Sequence, residues 1–257
     1  MDNSNRVPLV SIITPVYNAE RFIAETIECV QGQTYSNWEM LLVDDCSSDN
    51  GVNIIREYAK NDPRIKLFQL ETNSGAAVAR NTAINNSIGK YIAFLDSDDG
   101  WVPEKLEKQV GFMEERDLAF TFTSYRIMKE NGELTDSIVK VPHEITYNEL
   151  LKNTIIGCLT VMINKEKVKD IQMVNIRTRQ DLVLWLSILK RGITAYGMQE
   201  VLANYRKVEG SISSNKIKVA KRNWYVYRHI EKLSFPRATW VFMNYALNSV
   251  KKMIETR

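Results

Sequence analysis

Four short apolar runs recur through the first hundred residues: LVSIIT at 9–14, EMLLV at 39–43, IKLFQL at 65–70 and YIAFL at 91–95. Helical patterns separate them. Residues 21–31 carry Phe22, Ile23, Ile27 and Val30 at helical spacing, 51–60 carry Ile54, Ile55 and Tyr58, and 76–87 are Ala-rich, with Gly89 expected as the C-terminal cap. Runs that are apolar at successive positions have no polar face to give to water. Alternating with helices, they predict an α/β fold with a mixed, mostly parallel sheet covered on both sides. Pro15 is expected to stop the first strand. The second half is less regular. Residues 118–125 and 159–163 look like strands, 182–190 (LVLWLSILK) like a helix stopped by Gly192, 193–198 and 201–206 like two extended stretches, and everything beyond Ser214 like helix.

Ligands of such sheets bind beyond the carboxyl ends of the strands. Three polar clusters fall there: Pro15-Val16-Tyr17-Asn18, Asp44-Asp45, and Asp96-Ser97-Asp98-Asp99. The last puts three carboxylates within four residues, a repulsion that a cation or donor groups must offset. Mg²⁺ and Mn²⁺ take oxygen ligands and share them with substrate phosphates, so Asp96, Asp98 and Asp99 are candidate metal ligands, with one of them free to act as a helix cap. A calcium loop is excluded by spacing, since glycine stands fifth (Gly100) and Trp101 sixth. No G-x-G-x-x-G follows the first strand, which argues against a dehydrogenase. The same place lacks the glycine-rich phosphate loop a sugar nucleotidyltransferase would need.

Other residues carry two readings each. Asp44 and Asp45 suit either a nucleotide contact or an Asx turn. Arg80 is either a surface charge on its helix or a donor to a nucleotide. Asp181, ahead of an apolar helix, is either a cap favoured by the helix dipole or a general base for an acceptor hydroxyl. Neither histidine, His143 or His229, is placed as a base.

Charge and cysteine usage narrow the setting. Residues 211–257 hold ten Lys/Arg against two Glu, about +8, against a whole-chain charge of +3. Interleaved with Trp224, Tyr225, Tyr227, Trp240 and Phe242, this basic tail suits either peripheral contact with an anionic membrane or packing on the body. No stretch reaches the length of a membrane span, and residues 1–8 lack a signal-peptide core. The expected location is cytoplasmic, peripheral on the inner face of the plasma membrane. Cys29, Cys46 and Cys158 form no CxxC pair, so neither a disulfide framework nor a zinc site is expected. Nothing resembles a nucleic-acid module.

Together these stretches resemble glycosyltransferase family 2, inverting enzymes of the GT-A fold. The resemblance rests on VSIITPVYN at 10–18, Gln33-Thr34-Tyr35, EMLLVDDCSSD at 39–49, Asn73-Ser74-Gly75 through Arg80-Asn81, and LDSDD at 95–99, and it spans residues 8–213. It implies a nucleotide-sugar donor, a UDP-sugar, contacted by Pro15, Tyr17, Asp45, Arg80, Asp96, Ser97, Asp98 and Arg206. It implies Mn²⁺ or Mg²⁺ at Asp96, Asp98 and Asp99, and Asp181 as the base. Gln180 stands where the family has Glu, and Val208 where many members have His. Tyr205-Arg206 with Ser211-Ile212-Ser213 resembles the segment that closes over the diphosphate. Length and the TYSNWE stretch at 34–39 resemble bacterial enzymes of teichuronic acid or capsular polysaccharide synthesis, which implies a glycan or lipid-linked saccharide acceptor. The expected division is a catalytic domain at 1–214 and a basic helical segment at 215–257. A non-catalytic nucleotide-sugar-binding module would share most of these features. Segments 140–154 and 168–179 are expected to set sugar selection.

Overall fold

The computed structural model of the chain describes residues 7–208 and 216–255, with backbone alone at 216–217 and 250–255. Strands β1 (Val10–Val16), β2 (Trp38–Asp44), β3 (Ile65–Gln69) and β4 (Tyr91–Phe94) alternate with helices α1 (Ile23–Gln31), α2 (Gly51–Asn61) and α3 (Ala76–Asn86). The four strands pair in parallel in the order β3-β2-β1-β4. The second half contributes β5 (Gly100–Trp101), α4 (Lys105–Glu115), β6 (Phe120–Lys129), β7 (Leu134–Val139), β8 (Glu144–Ile145), α5 (Tyr147–Lys152), β9 (Met162–Asn164), α6 (Gln180–Leu189), β10 (Ala195–Lys207), α7 (Lys216–Tyr225) and α8 (Phe235–Glu255). The sheet continues from β4 through antiparallel β9 to β6 and β10, which are parallel to each other. It is a mixed, mostly parallel sheet flanked by helices.

Both faces are buried, as continuous apolar strands require. Ile13, Leu41, Val43 and Phe94 face one core, shared with Trp185 of α6. Ile12, Met40, Leu42 and Ala93 face the other, shared with Ile23 and Ile27 of α1.

Four expectations are corrected. Pro15 does not end β1. Odd-numbered residues of β1 turn their backbone groups toward β4, where Leu95 N donates to Ile13 O, and even-numbered ones toward β2, where Asp45 N donates to Val16 O. The N–H that proline lacks would point past the end of β4, so nothing is lost. Gly89 does not cap α3, whose C-terminal cap is Ser87. A Cβ at Gly89 would meet Leu9 O and Ser11 Oγ at 2.7 Å and Ser11 N at 2.8 Å, so this glycine lets the chain cross close beside β1. Residues 193–198 and 201–206 belong to one strand, β10, which stays paired with β6 across register shifts between Met198 and Ala203. Residues 158–160 form a 3₁₀ turn ahead of the short β9.

The tail is packed on its inner side. After a π-helical turn at Val226–Ile230 the chain enters α8. Val226, Tyr227, Leu233, Ala238 and Val241 join the core around Trp185, and Tyr227 Oη donates to Leu151 O at 2.7 Å. The expected boundary at 214/215 lies outside the described residues. No helix among them is long and apolar enough to cross a membrane.

Candidate active site

A cavity of about 600 Å³ opens at the carboxyl ends of β1 and β4. Tyr17, Arg80, Asp96, Ser97, Asp98 and Asp181 line it together. The sequence placed these residues on four separate stretches, and the fold makes them neighbours.

Each arrives by its own local device. β4 ends at Phe94 and delivers the acidic loop directly. α3 starts at Gly75, whose φ of 92° favours glycine, and presents Arg80 one turn in. Arg80 is 7% exposed and donates from Nη2 to Asp96 Oδ1, while its buried Nε has no partner. α6 is fixed by Trp185, fully buried with its ring 5.2 Å from Phe94 and 5.3 Å from Phe120. Asp181 lies one turn earlier on the same helix face and so projects past the end of β4 into the cavity. Its charge reaches Arg80.

The three loop aspartates are held differently. Asp96 carries the Arg80 ion pair. Asp99, 3% exposed, turns inward and accepts the Arg206 backbone N–H at 2.8 Å. Burial, then the Asp98 and Asp96 charges, push its carboxyl well above the usual range. Thr26 Oγ1 ties the backbone down by donating toward Ser97 O at 3.1 Å and Asp99 O at 3.0 Å. Asp98 faces the cavity, and burial followed by the Asp96 charge raises its carboxyl to about 6. Among the described residues no three His, Cys, Asp or Glu side chains converge as a ready metal site. Asp98 and Asp96 are the pair that would hold a divalent ion. Burial and, after it, the Asp96 charge disfavour the Asp98 carboxylate, and a divalent ion there would offset both.

Four expected site residues do not line the cavity: the inward-turned Asp99, and Asp45, Arg206 and Pro15. Asp45, 4% exposed, accepts the backbone N–H groups of Ser74 at 2.6 Å and Gly75 at 2.8 Å. Its carboxylate shapes the entry to α3. Arg206, 4% exposed, donates from Nε to Asp98 O at 2.7 Å, from Nη1 to Glu130 O at 2.9 Å and from Nη2 to Glu25. It clamps the acidic loop from behind. Pro15 sits within β1, short of the cavity. The expected closing segment Ser211-Ile212-Ser213 lies outside the described residues. Arg177, Thr178 and Arg179, at the end of the segment 168–179 expected to set sugar selection, also line the cavity. Arg222 lines it unforeseen, its only sequence signal being the basic charge of the tail.

An acidic loop at the carboxyl edge of a parallel half-sheet, facing a lone carboxylate across a nucleotide-sized cavity, defines a nucleotide-sugar transferase. The family model "Glycosyl transferase family 2" matches residues 11–171. A putative teichuronic acid biosynthesis glycosyltransferase, TuaG of Bacillus subtilis (strain 168), is 56% identical over 251 residues, covering 98% of this chain and 100% of that protein. The UDP-Glc:alpha-D-GlcNAc-diphosphoundecaprenol beta-1,3-glucosyltransferase WfgD of Escherichia coli is 42% identical, covering 95% of this chain and 94% of its own length. Solved structures share the fold at lower identity. S. aureus TarS 1-349 in complex with UDP-GlcNAc has a TM-score of 0.69 at 21% identity, covering 93% of this chain and 72% of that one. Mannosyltransferase PcManGT from Pyrobaculum calidifontis in complex with GDP-Man and Mn2+ has a TM-score of 0.68 at 17% identity, covering 98% of this chain and 73% of that one. The chain belongs to glycosyltransferase family 2 and has the GT-A fold.

Proposed function

We propose that this protein transfers a sugar, with inversion, from a UDP-sugar to a hydroxyl of a lipid-linked saccharide in cell-surface polysaccharide synthesis. The observation that carries the chemistry is Asp181, set at the start of α6 in the same cavity as Asp96 and Asp98. Asp96 and Asp98, with Arg80 beside them, face the donor diphosphate end and would hold a divalent ion there. When bound, such an ion would supply electrostatic stabilisation of the leaving diphosphate. Tyr17, half-exposed at the rim, meets the nucleoside. Asp181 accepts the acceptor hydroxyl's proton as its oxygen attacks the anomeric carbon from the face opposite the diphosphate. Pro15, Asp45, Asp99 and Arg206 serve the same site at one remove, by shaping β1, the α3 entry and the acidic loop. The acceptor class is supported by the diphosphoundecaprenol-linked acceptor named for WfgD and the polymer by the teichuronic acid biosynthesis named for TuaG.

The basic segment 215–257 is proposed to rest peripherally on the inner face of an anionic membrane. α8 has two apolar sides. Ala238, Val241 and Tyr245 pack inward, while Trp240, Met243 and Leu247 are 61%, 55% and 69% exposed on the opposite side. An apolar stripe within a chain segment of about +8 is what an interfacial helix presents.

The test of the chemistry is Asp181→Asn. It should leave UDP binding intact and lower turnover by about 10²–10⁴-fold, the usual worth of a positioned base. Turnover within a few-fold of the parent removes Asp181 from that role.

A further inference from the structure

Beyond the acidic loop, the cavity has a second charged wall. Arg177 and Arg179 enter it from the segment ahead of α6, and Arg222 enters from α7, with Val219 one turn away on the same face. Arg80 and Arg206 have their guanidinium groups engaged by Asp96 and Glu25. Arg177, Arg179 and Arg222 differ: none of their guanidinium groups has a hydrogen bond or ion pair among the described residues. Between the first two, Thr178 also lines the cavity, and its buried Oγ1 has no partner. Three guanidinium groups and a hydroxyl, none with a side-chain partner among the described residues, share one concavity and form a donor set for an anion. Planar guanidinium forks match phosphate oxygens in bidentate geometry.

Two diphosphates can come here, the donor's and that of a lipid-linked acceptor. The acidic loop, where Asp96 and Asp98 would hold a divalent ion, is the place proposed above for the donor diphosphate. Arg179 stands two residues from Asp181, so this wall adjoins the point where the acceptor hydroxyl must present its proton. Arg222 lies on the helix that leads, through the turn at Val226–Ile230, into α8 with its exposed Trp240, Met243 and Leu247. A molecule with a sugar at Asp181, an anion next to that sugar and a lipid beyond it would run along this path. We propose that Arg177, Arg179 and Arg222 form a subsite for the diphosphate that joins the acceptor saccharide to its lipid. The C-terminal helices then supply part of the acceptor site itself. This rests on the acceptor class proposed above.

Equilibrium binding tests it without chemistry. The full-length protein is saturated with UDP and Mn²⁺, which fills the donor site, and titrated calorimetrically with geranyl diphosphate, geranyl monophosphate and geraniol. The diphosphate should bind saturably and more tightly than the monophosphate, and geraniol should not bind. Arg222→Ala and Arg179→Ala should each weaken the diphosphate at least about tenfold, the loss of one charge-assisted fork contact. Arg222→Lys should fall between. UDP affinity should stay unchanged in every variant, which also shows that the cavity is folded. Arg177→Ala, at an exposed position, gives an independent variant in case the half-buried ones fail to fold. If UDP affinity falls by the same factor as geranyl diphosphate affinity, the arginines serve the donor and the proposal is overturned. Equal binding of geranyl diphosphate by parent and variants, or none by the parent, overturns it too. A failure of Asp181 as base would register in turnover and leave these titrations untouched, so the two readings fail separately.

Discussion

Arg206→Ala separates a clamp from a phosphate ligand. The guanidinium is 4% exposed and donates to Asp98 O at 2.7 Å and Glu130 O at 2.9 Å. Hydrogen bonds from a charged group are worth about 1.5–3 kcal/mol each. The ion pair with Glu25 adds little, about 0–1 kcal/mol, because that carboxylate is 58% exposed and resolvates readily. Stacking over Phe22 at 4.9 Å adds about 0.5–1 kcal/mol. Removing the side chain should therefore cost about 3–5 kcal/mol once partial relaxation is allowed. For a domain of this size that lowers the melting temperature by roughly 6–20 °C. The assay is urea and thermal unfolding by circular dichroism, alongside calorimetric titration of UDP with Mn²⁺ at a temperature where the variant is still folded. UDP affinity should fall only modestly, because the acidic loop loosens while its carboxylates remain. An unchanged melting temperature with UDP affinity reduced a hundredfold would mean that the guanidinium turns outward to the donor, and the clamp assignment would be wrong.

Three further outcomes are expected. Asp98→Ala should abolish the Mn²⁺-dependent part of UDP affinity, and identical isotherms with and without Mn²⁺ in parent and variant would count against a metal at this loop. Replacing Trp240 and Met243 together by Glu should leave the melting temperature within about 1 °C, since both are exposed surface positions, and should abolish sedimentation with phosphatidylglycerol vesicles. Retained sedimentation would refute the membrane face. Lys105 is fully buried, and desolvation lowers its ammonium from 10.5 to about 7. The unfolded chain therefore keeps a proton that the native chain releases between pH 7 and 10.5, so stability should rise with pH across that window. Lys105→Met should stabilise the protein at pH 7 and flatten the rise, as read from urea midpoints at pH 7 and 9.

The parallel half of the fold was legible because its strands are apolar at successive positions and its helices carry a clean apolar period. α4 was missed for a physical reason. Its inward face includes Lys105 and Gln109, both fully buried and bonded to each other at 2.7 Å, so the period of Leu106, Val110 and Met113 is broken by polar residues. β10 read as two pieces because its register shifts interrupt the alternation. In the site, residue identity was legible and direction was not. Asp45 and Arg206 look like ligand contacts on charge alone. In the structure their side chains bond to backbone groups, Ser74 and Gly75 in one case and the acidic loop itself in the other. The arginines at 177, 179 and 222 carry no motif, and only tertiary contact shows that the tail shares a cavity with Asp181.

The acidic loop illustrates how identical side chains take different work from their neighbours. Three aspartates side by side cannot all stay charged in a half-buried loop without compensation. α3 compensates the first with Arg80, and β10 seals the third by aiming the Arg206 N–H at it, while burial pushes that carboxyl well above the usual range. Asp98 alone faces the cavity without an ion-paired side chain among the described residues, and Arg206 fixes its carbonyl so that the carboxylate cannot swing back. The loop is thus balanced to leave one uncompensated carboxylate beside a second that is only partly neutralised. An ion bound there would find two protein oxygens and open positions for phosphate. This explains why a run of three aspartates, and not an isolated one, closes β4, and why its stabilising groups come both from the cavity wall, at Arg80, and from behind it, at Arg206.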